Sequence, residues 1–384
     1  MKDISSQTLP YGKIVPVLLS FVVMGFVDIV GVSTGYAQKE FDLSPEMAQL
    51  IPSMVFVWFF VLSVPISILQ NRVGKRKVLL AGIGATAIGM AIPFVSFSYG
   101  VFLCSFVLLG IGNTLIQVSS NPLLREVVTA EKYPSILSVS QFMKAISSLL
   151  GPVLVAILVA RTGNWKNVFL VYGVVAICAG AWLARTPIKE THEQASAGFK
   201  DCFRLLKDPV IAFMVFAIFL TVGIDVGMNT NIQGLLVSKY ELTLEDASLG
   251  ISLYFFSLLV SRLLGAVILG KMSHIKFLKW SGWLTVVAFV CLMVSPSLET
   301  TLASIILVGL ASANLFPLIF ALTINRTPER SNEISGLMTM AIVGGAVVPF
   351  IMGLIQKSAG VDLVFLVPAM AAVVLSFSYR KFVK

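Results

Sequence analysis

Charge is scarce in this sequence. Only 12% of its 384 residues are Asp, Glu, Lys or Arg, about half the share of a typical soluble domain. Histidine and cysteine are scarcer still, with two and four residues. Cys104, Cys178 and Cys291 sit inside apolar runs and Cys202 in a polar one, without metal-ligand spacing or an evident disulfide pair. His192 and His274 both fall between apolar runs, away from any proton relay. The motifs H-E-x-x-H and G-x-x-x-x-G-K-[ST] are missing, and the one G-x-S-x-G match, at 31–35, lies inside an apolar run with no histidine in any run to serve as its base. Metalloprotease, serine-hydrolase and nucleotide-driven chemistry are thereby excluded, and no enzyme, metal or cofactor is expected. No polar stretch is long enough to form a separate soluble domain.

What the sequence has in excess is hydrophobic: 57% of the chain. Runs of about twenty apolar residues recur, each long enough to cross a hydrocarbon layer of about 30 Å. Twelve spans are predicted, at 14–37, 47–69, 78–97, 101–123, 135–160, 167–186, 209–236, 246–270, 277–295, 300–324, 333–356 and 362–380. They must be helices, because lipid offers unpaired backbone groups no partner in such short runs. The fold class expected is an all-α membrane protein. The first run follows a polar start and is too long for a cleaved signal peptide, so it is expected to stay as the first span.

A net charge of +9 on a soluble chain would suggest nucleic acid. Here topology accounts for it. With the N-terminus inside, 21 of the 28 Lys and Arg fall on the cytoplasmic side, 5 outside and 2 within spans. Both termini are therefore expected in the cytoplasm, in a bacterial-type inner membrane. Membrane lipid is the expected surroundings, with no nucleic-acid partner and a monomeric chain.

The longest polar stretch, Arg185 to Asp208, lies at the midpoint. It divides the chain into an N-terminal six-helix half (1–186), a cytoplasmic linker (187–208) and a C-terminal six-helix half (209–384). The halves echo one another weakly: Gly25-Phe-Val-Asp28-Ile-Val-Gly31 in span 1 against Gly223-Ile-Asp225-Val-Gly227 in span 7. Parallel repeats of this kind place a site near the midplane between halves.

Four ionisable residues lie well inside spans: Asp28, Lys144, Asp225 and Arg262. Each would cost roughly 2.5–3.5 kcal/mol in lipid, so they are expected to pair or to face a wet cavity. Polar side chains fall on helical stripes beside them. Asn113, Gln117 and Asn121 share one face of span 4, Gln141, Lys144 and Ser148 one face of span 5, and Asp225, Asn229 and Gln233 one face of span 7, with Asn231 to one side. The competing reading is structural, since amides and hydroxyls also fasten spanning helices together. It weighs equally for Asn113, Ser148 and Asn314. Arg262 is read as a gating or structural group that snorkels toward the basic side.

Three stretches carry a family likeness. They are Gln117-Val-Ser-Ser-Asn121-Pro122 in span 4, Asn314-Leu-Phe-Pro317-Leu-Ile-Phe320 in span 10, and Gly344-Gly345-Ala-Val-Val-Pro349-Phe-Ile-Met-Gly353 in span 11. A basic loop, Asn71-Arg72-Val-Gly74-Lys75-Arg76-Lys77, follows span 2. With its 6+6 arrangement the chain resembles the major facilitator superfamily, and within it the fucose–proton symporter (sugar permease) family. That resemblance implies a pathway walled by spans 1, 4, 7 and 10. It also implies secondary uptake of a monosaccharide or related small polar solute by alternating access. The departures are specific. Gln117 stands where the family has an acid, Lys144 where it has an asparagine, and Asn71 where the loop has an aspartate, which removes one gating salt bridge. Gln117, Asn121, Gln141, Lys144, Asn229, Asn231, Gln233 and Asn314 are the expected substrate ligands, and Asp28 and Asp225 the coupling residues. Arg72 and Arg76 join Arg262 as gating or structural groups. A proton is the first-ranked coupling ion, ahead of Na+ and of uncoupled transport. An acidic sugar (a uronate or sialate) and drug export are the alternative cargoes.

Overall fold

The computed structural model describes residues 11–129, 133–190, 203–269, 272–326, 330–378 and 380, and those residues form helices joined by short connections. Eleven described helices are long and apolar enough to cross a membrane. They are α1 (Tyr11–Glu40), α2 (Pro45–Gln70), α3 (Lys75–Val95), α4 (Tyr99–Val127), α5 (Val139–Thr162), α6 (Asn167–Arg185), α7 (Pro209–Tyr240), α8 (Leu244–Gly265), α9 (His274–Val294), α10 (Leu298–Arg326) and α11 (Glu333–Ala359). A shorter apolar helix, α12 (Leu366–Ser376), follows. This is a multi-pass membrane protein. Of the linker expected at 187–208, residues 191–202 lie outside the described residues.

The last span differs from its predicted range of 362–380. Gly360 adopts φ +84°, which ends α11, and a 3-10 turn at Val361–Leu363 intervenes before α12 begins. Other interruptions fall inside spans. In α1 the four residues Phe26–Ile29 are 3-10 rather than α, and in α11 the same is true of Ala341–Val343. The hydrogen-bond ladder of α10 breaks at residues 313 and 314. Irregular backbone at membrane depth is tolerated only where protein or a wet cavity surrounds it.

The repeat shows in the packing. α1 packs on α5 as α7 does on α11, α3 on α6 as α9 on α12, and α2 on α4 as α8 on α10. Two seams join the halves, α2 against α11 and α5 against α8, and the outer part of α1 lies against α7. By contrast, α4 and α10 make at most a marginal contact among the described residues. One face of the protein carries the start of α1 and the end of α12, and is called here the termini face.

At the termini face the α2–α3 turn is tied down on several sides. Gly74 takes φ +98°, a conformation side chains resist, and starts α3 abruptly. The Glu190 carboxylate from the linker accepts from the backbone N–H of Lys75 at 2.5 Å and of Arg76 at 3.3 Å, capping α3 from a distant part of the chain. Lys75 forms an ion pair with Glu126 of α4. Arg76 donates to the carbonyls of Leu183 and Ala184, satisfying the free end of α6.

Candidate functional site

The four membrane-interior charges come together at the centre of the interface between halves. Asp28 sits in the 3-10 segment of α1, and its Oδ2 accepts from the Ser148 hydroxyl of α5 at 2.5 Å. Asp225 of α7 accepts from the Tyr254 hydroxyl of α8 at 2.8 Å. Each acid is thus hydrogen-bonded by a hydroxyl within its own half. Lys144 and Arg262 belong to different halves; Lys144 lies within electrostatic reach of both acids, Arg262 within reach of Asp28, and the two cations within reach of each other. Neither cation has a carboxylate within ion-pair distance among the described residues.

Helix geometry orders these groups along the membrane normal. The Ser252 hydroxyl of α8 donates to the Leu149 carbonyl of α5 at 3.1 Å, which sets the two antiparallel helices level there. From that point Lys144 lies five residues, and Arg262 ten residues, nearer the termini face, about 7 Å and about 15 Å down the helix axes. Access follows the same order. Arg262 is exposed, and Lys144, Asp28 and Asp225 are half-buried. Beyond them Asn229, Asn231 and Gln233 are 1%, 5% and 0% exposed. Burial therefore tightens from Arg262 toward the face opposite the termini, where the amides form a seal.

The seal is a fitted contact between α1 and α7. Gly31 and Gly35 stand one helical turn apart, as do Asn229 and Gln233. A Cβ on Gly31 would fall 2.0 Å from Asn229 Oδ1, and one on Gly35 2.0 Å from Gln233 Oε1. Only bare backbone admits the amides so closely. Asn229 Nδ2 donates to the Asp28 carbonyl at 2.9 Å, and Gln233 Nε2 to the Leu244 carbonyl at 2.8 Å. Asn231 accepts from Gln49 of α2 at 3.3 Å, and Lys357 pairs with Glu46 further out. Asn229 Oδ1, Gln233 Oε1 and Gln49 Oε1 remain buried without a hydrogen bond.

The remaining predicted residues divide in the same way. Gln117 of α4 is half-buried and Gln141 of α5 exposed, and neither side chain has a hydrogen-bond partner among the described residues. Asn121 is half-buried on the same face of α4 as Gln117. Asn314 is 5% exposed and donates to both the carbonyl and the hydroxyl of Ser261 at 3.1 Å, fastening α10 to α8 where the α10 ladder breaks. Asn113 fastens α4 to the Met24 carbonyl of α1 at 2.7 Å. Arg72 is exposed and Arg76 holds α6, both about the α2–α3 turn. Gln49 and Gly35 were missed in the sequence. The signal for Gly35 was the matching four-residue spacing of glycines in span 1 and amides in span 7, and Gln49 carried none. An apolar groove of about 300 Å³ between α1, α5 and α6 is lined by Val22, Phe26, Leu150 and Tyr172 among others, and includes none of the four charges.

A charged centre between two packed six-helix bundles, sealed at one end, is the arrangement that comparison with known proteins then places. The family model described as Major Facilitator Superfamily matches residues 17–241 and 215–382. The chain belongs to the Major Facilitator Superfamily. Among curated members, it is 24% identical over 379 residues to the glucose/galactose transporter of Brucella abortus, covering 94% of this chain and 91% of that one. Among solved structures, the Escherichia coli fucose:proton symporter superposes with a TM-score of 0.70 at 16% identity, over 97% of this chain and 98% of that one. A D-xylose-proton symporter reaches 0.80 at 14% identity, over 98% of each. These structures share the fold with this chain.

Proposed function

We propose that this superfamily member is a secondary transporter that imports a monosaccharide by alternating access, driven by protons. The observation that carries the reading is the double attachment of Asp28. Its carboxylate is held by Ser148 in the charged centre, and its backbone carbonyl is held by Asn229 in the seal. One residue thus belongs to both the ionisable centre and the gate. A carboxylate costs roughly 2.5–3.5 kcal/mol in the membrane interior, and protonation removes that cost. Proton binding at Asp28 therefore favours whichever arrangement of α1 shuts it away from water. The neutral amides of Gln117 and Gln141 supply donors and acceptors for hydroxyl groups. The similarity to a glucose/galactose transporter across most of both chains supports a sugar as cargo. The loop charges make the termini face cytoplasmic, so the arrangement described is the one closed to the outside.

The test is counterflow and pH-gradient-driven accumulation in proteoliposomes, using a panel of neutral and acidic monosaccharides. Wild type is expected to exchange a member of the panel and to concentrate it when the outside is acidic. Asp28→Asn is expected to keep exchange and lose accumulation. Accumulation by Asp28→Asn equal to wild type rules out the coupling role. Absence of exchange for every monosaccharide rules out the sugar.

A further inference from the structure

We propose that Lys144 and Arg262 form an anion subsite between the halves, and that the sugar carried is a sugar acid whose carboxylate bridges them. This rests on the sugar reading above and names the chemical class within it.

Five observations converge. The acids near the two cations are already engaged, Asp28 by Ser148 and Asp225 by Tyr254, both within their own halves. The cations have no ion-pair partner among the described residues. They stand on either side of the α5–α8 seam with an axial offset of about 7 Å, which two long side chains close on a carboxylate set between them. Arg262 is the exposed member of the charged centre, and Lys144 is half-buried like the two acids. Gln141 lies one turn from Lys144 with its amide unengaged, placed to take a hydroxyl of the same ligand.

The energetics favour an anionic cargo over a neutral one. A cation at the membrane centre is costly, and the attraction of Asp28 is the main offset that Lys144 has, opposed by Arg262. A carboxylate between the cations gives each the direct ion pair it lacks and bridges the halves. A ligand shifts a two-state equilibrium only through such differential interaction, and a neutral sugar has no comparable handle on it. The cargo's charge becomes the element that permits closure at the termini face.

The test measures binding to the purified protein by calorimetry. D-glucuronate, D-galacturonate and N-acetylneuraminate are compared with D-glucose, D-galactose and inorganic phosphate. At least one sugar acid is expected to bind about tenfold or more tightly than any neutral sugar, with the advantage shrinking as salt rises. Lys144→Met and Arg262→Gln should each remove most of that advantage, and Lys144→Arg should retain it. Should the neutralised variants fail to fold, the salt dependence of wild type and the Lys144→Arg comparison still decide the matter. Neutral sugars binding as well as sugar acids would overturn the subsite and leave the sugar reading standing. Phosphate binding without any sugar acid would overturn the subsite as a sugar site. No binding or counterflow of any monosaccharide would overturn both.

Discussion

The Asn229 side chain donates to the backbone carbonyl of Asp28 at 2.9 Å, and so joins the gate of one half to the ionisable residue of the other. Because the acceptor is a backbone atom, substitution of the Asp28 side chain leaves this bond available. Closure and titration can therefore be perturbed separately.

Gly35→Ala is expected to prevent closure opposite the termini face and to abolish counterflow. The three atoms nearest the new Cβ all belong to the Gln233 side chain, so Gln233→Ala should restore much of the lost exchange. Gly31→Ala should not be rescued by Asn229→Ala, because the Asn229 backbone carbonyl also lies 2.4 Å from the new Cβ. Double-mutant cycles on thermal stability should accordingly show a coupling of about 1 kcal/mol or more for the first pair and little for the second.

Tyr254→Phe removes the donor that holds Asp225 while keeping the ring packed. The loss is expected to be about 1–3 kcal/mol, measured as a lower midpoint in denaturation of the detergent-solubilised protein. Tyr254→Phe combined with Asp225→Asn should lose less than the two single changes summed, since the second removes the charge that the hydroxyl served.

Asn314→Ala should behave as a structural lesion. Its amide fastens α10 to α8 and leaves Ser261 short of a partner when deleted, so stability should fall by about 1–2 kcal/mol. The ratio of affinities across a sugar panel should stay the same, and a changed ratio would instead make Asn314 a ligand.

Glu190→Gln keeps an acceptor for the start of α3 but removes its charge, whereas Glu190→Ala removes both. The alanine variant should lose about 1 kcal/mol and the glutamine variant less, read from thermal unfolding at low salt.

The spans were legible in sequence because apolar length is dictated by the bilayer, and eleven of them reappear with ends shifted by several residues. The short last helix was not, since the positive φ of Gly360 is a backbone property that hydropathy does not register. The four interior charges were legible as a group because their cost in lipid leaves them few places to be. Their partners were not: Ser148 and Tyr254 carry no pattern distinguishing a carboxylate's donor from an ordinary packing residue. The stripe of Asp225, Asn229 and Gln233 was visible as one helix face. Period alone cannot say what that face meets, and the glycines that receive its amides lie some two hundred residues away in the chain. Asn314 shows the same limit, since an amide that fastens two helices and one that awaits a ligand have identical sequence signatures.

The 3-10 segment Phe26–Ile29 gives α1 an adjustable length. A 3-10 turn rises about 2.0 Å per residue with three residues per turn, against about 1.5 Å and 3.6 residues in an α-helix. Conversion of those four residues to α geometry would shorten α1 by about 2 Å and swing everything beyond them by about 80°. Gly31 and Gly35 would then face away from Asn229 and Gln233. A local change of winding at Asp28 is thus enough to unlatch the far end of the helix, without the two bundles having to rock first.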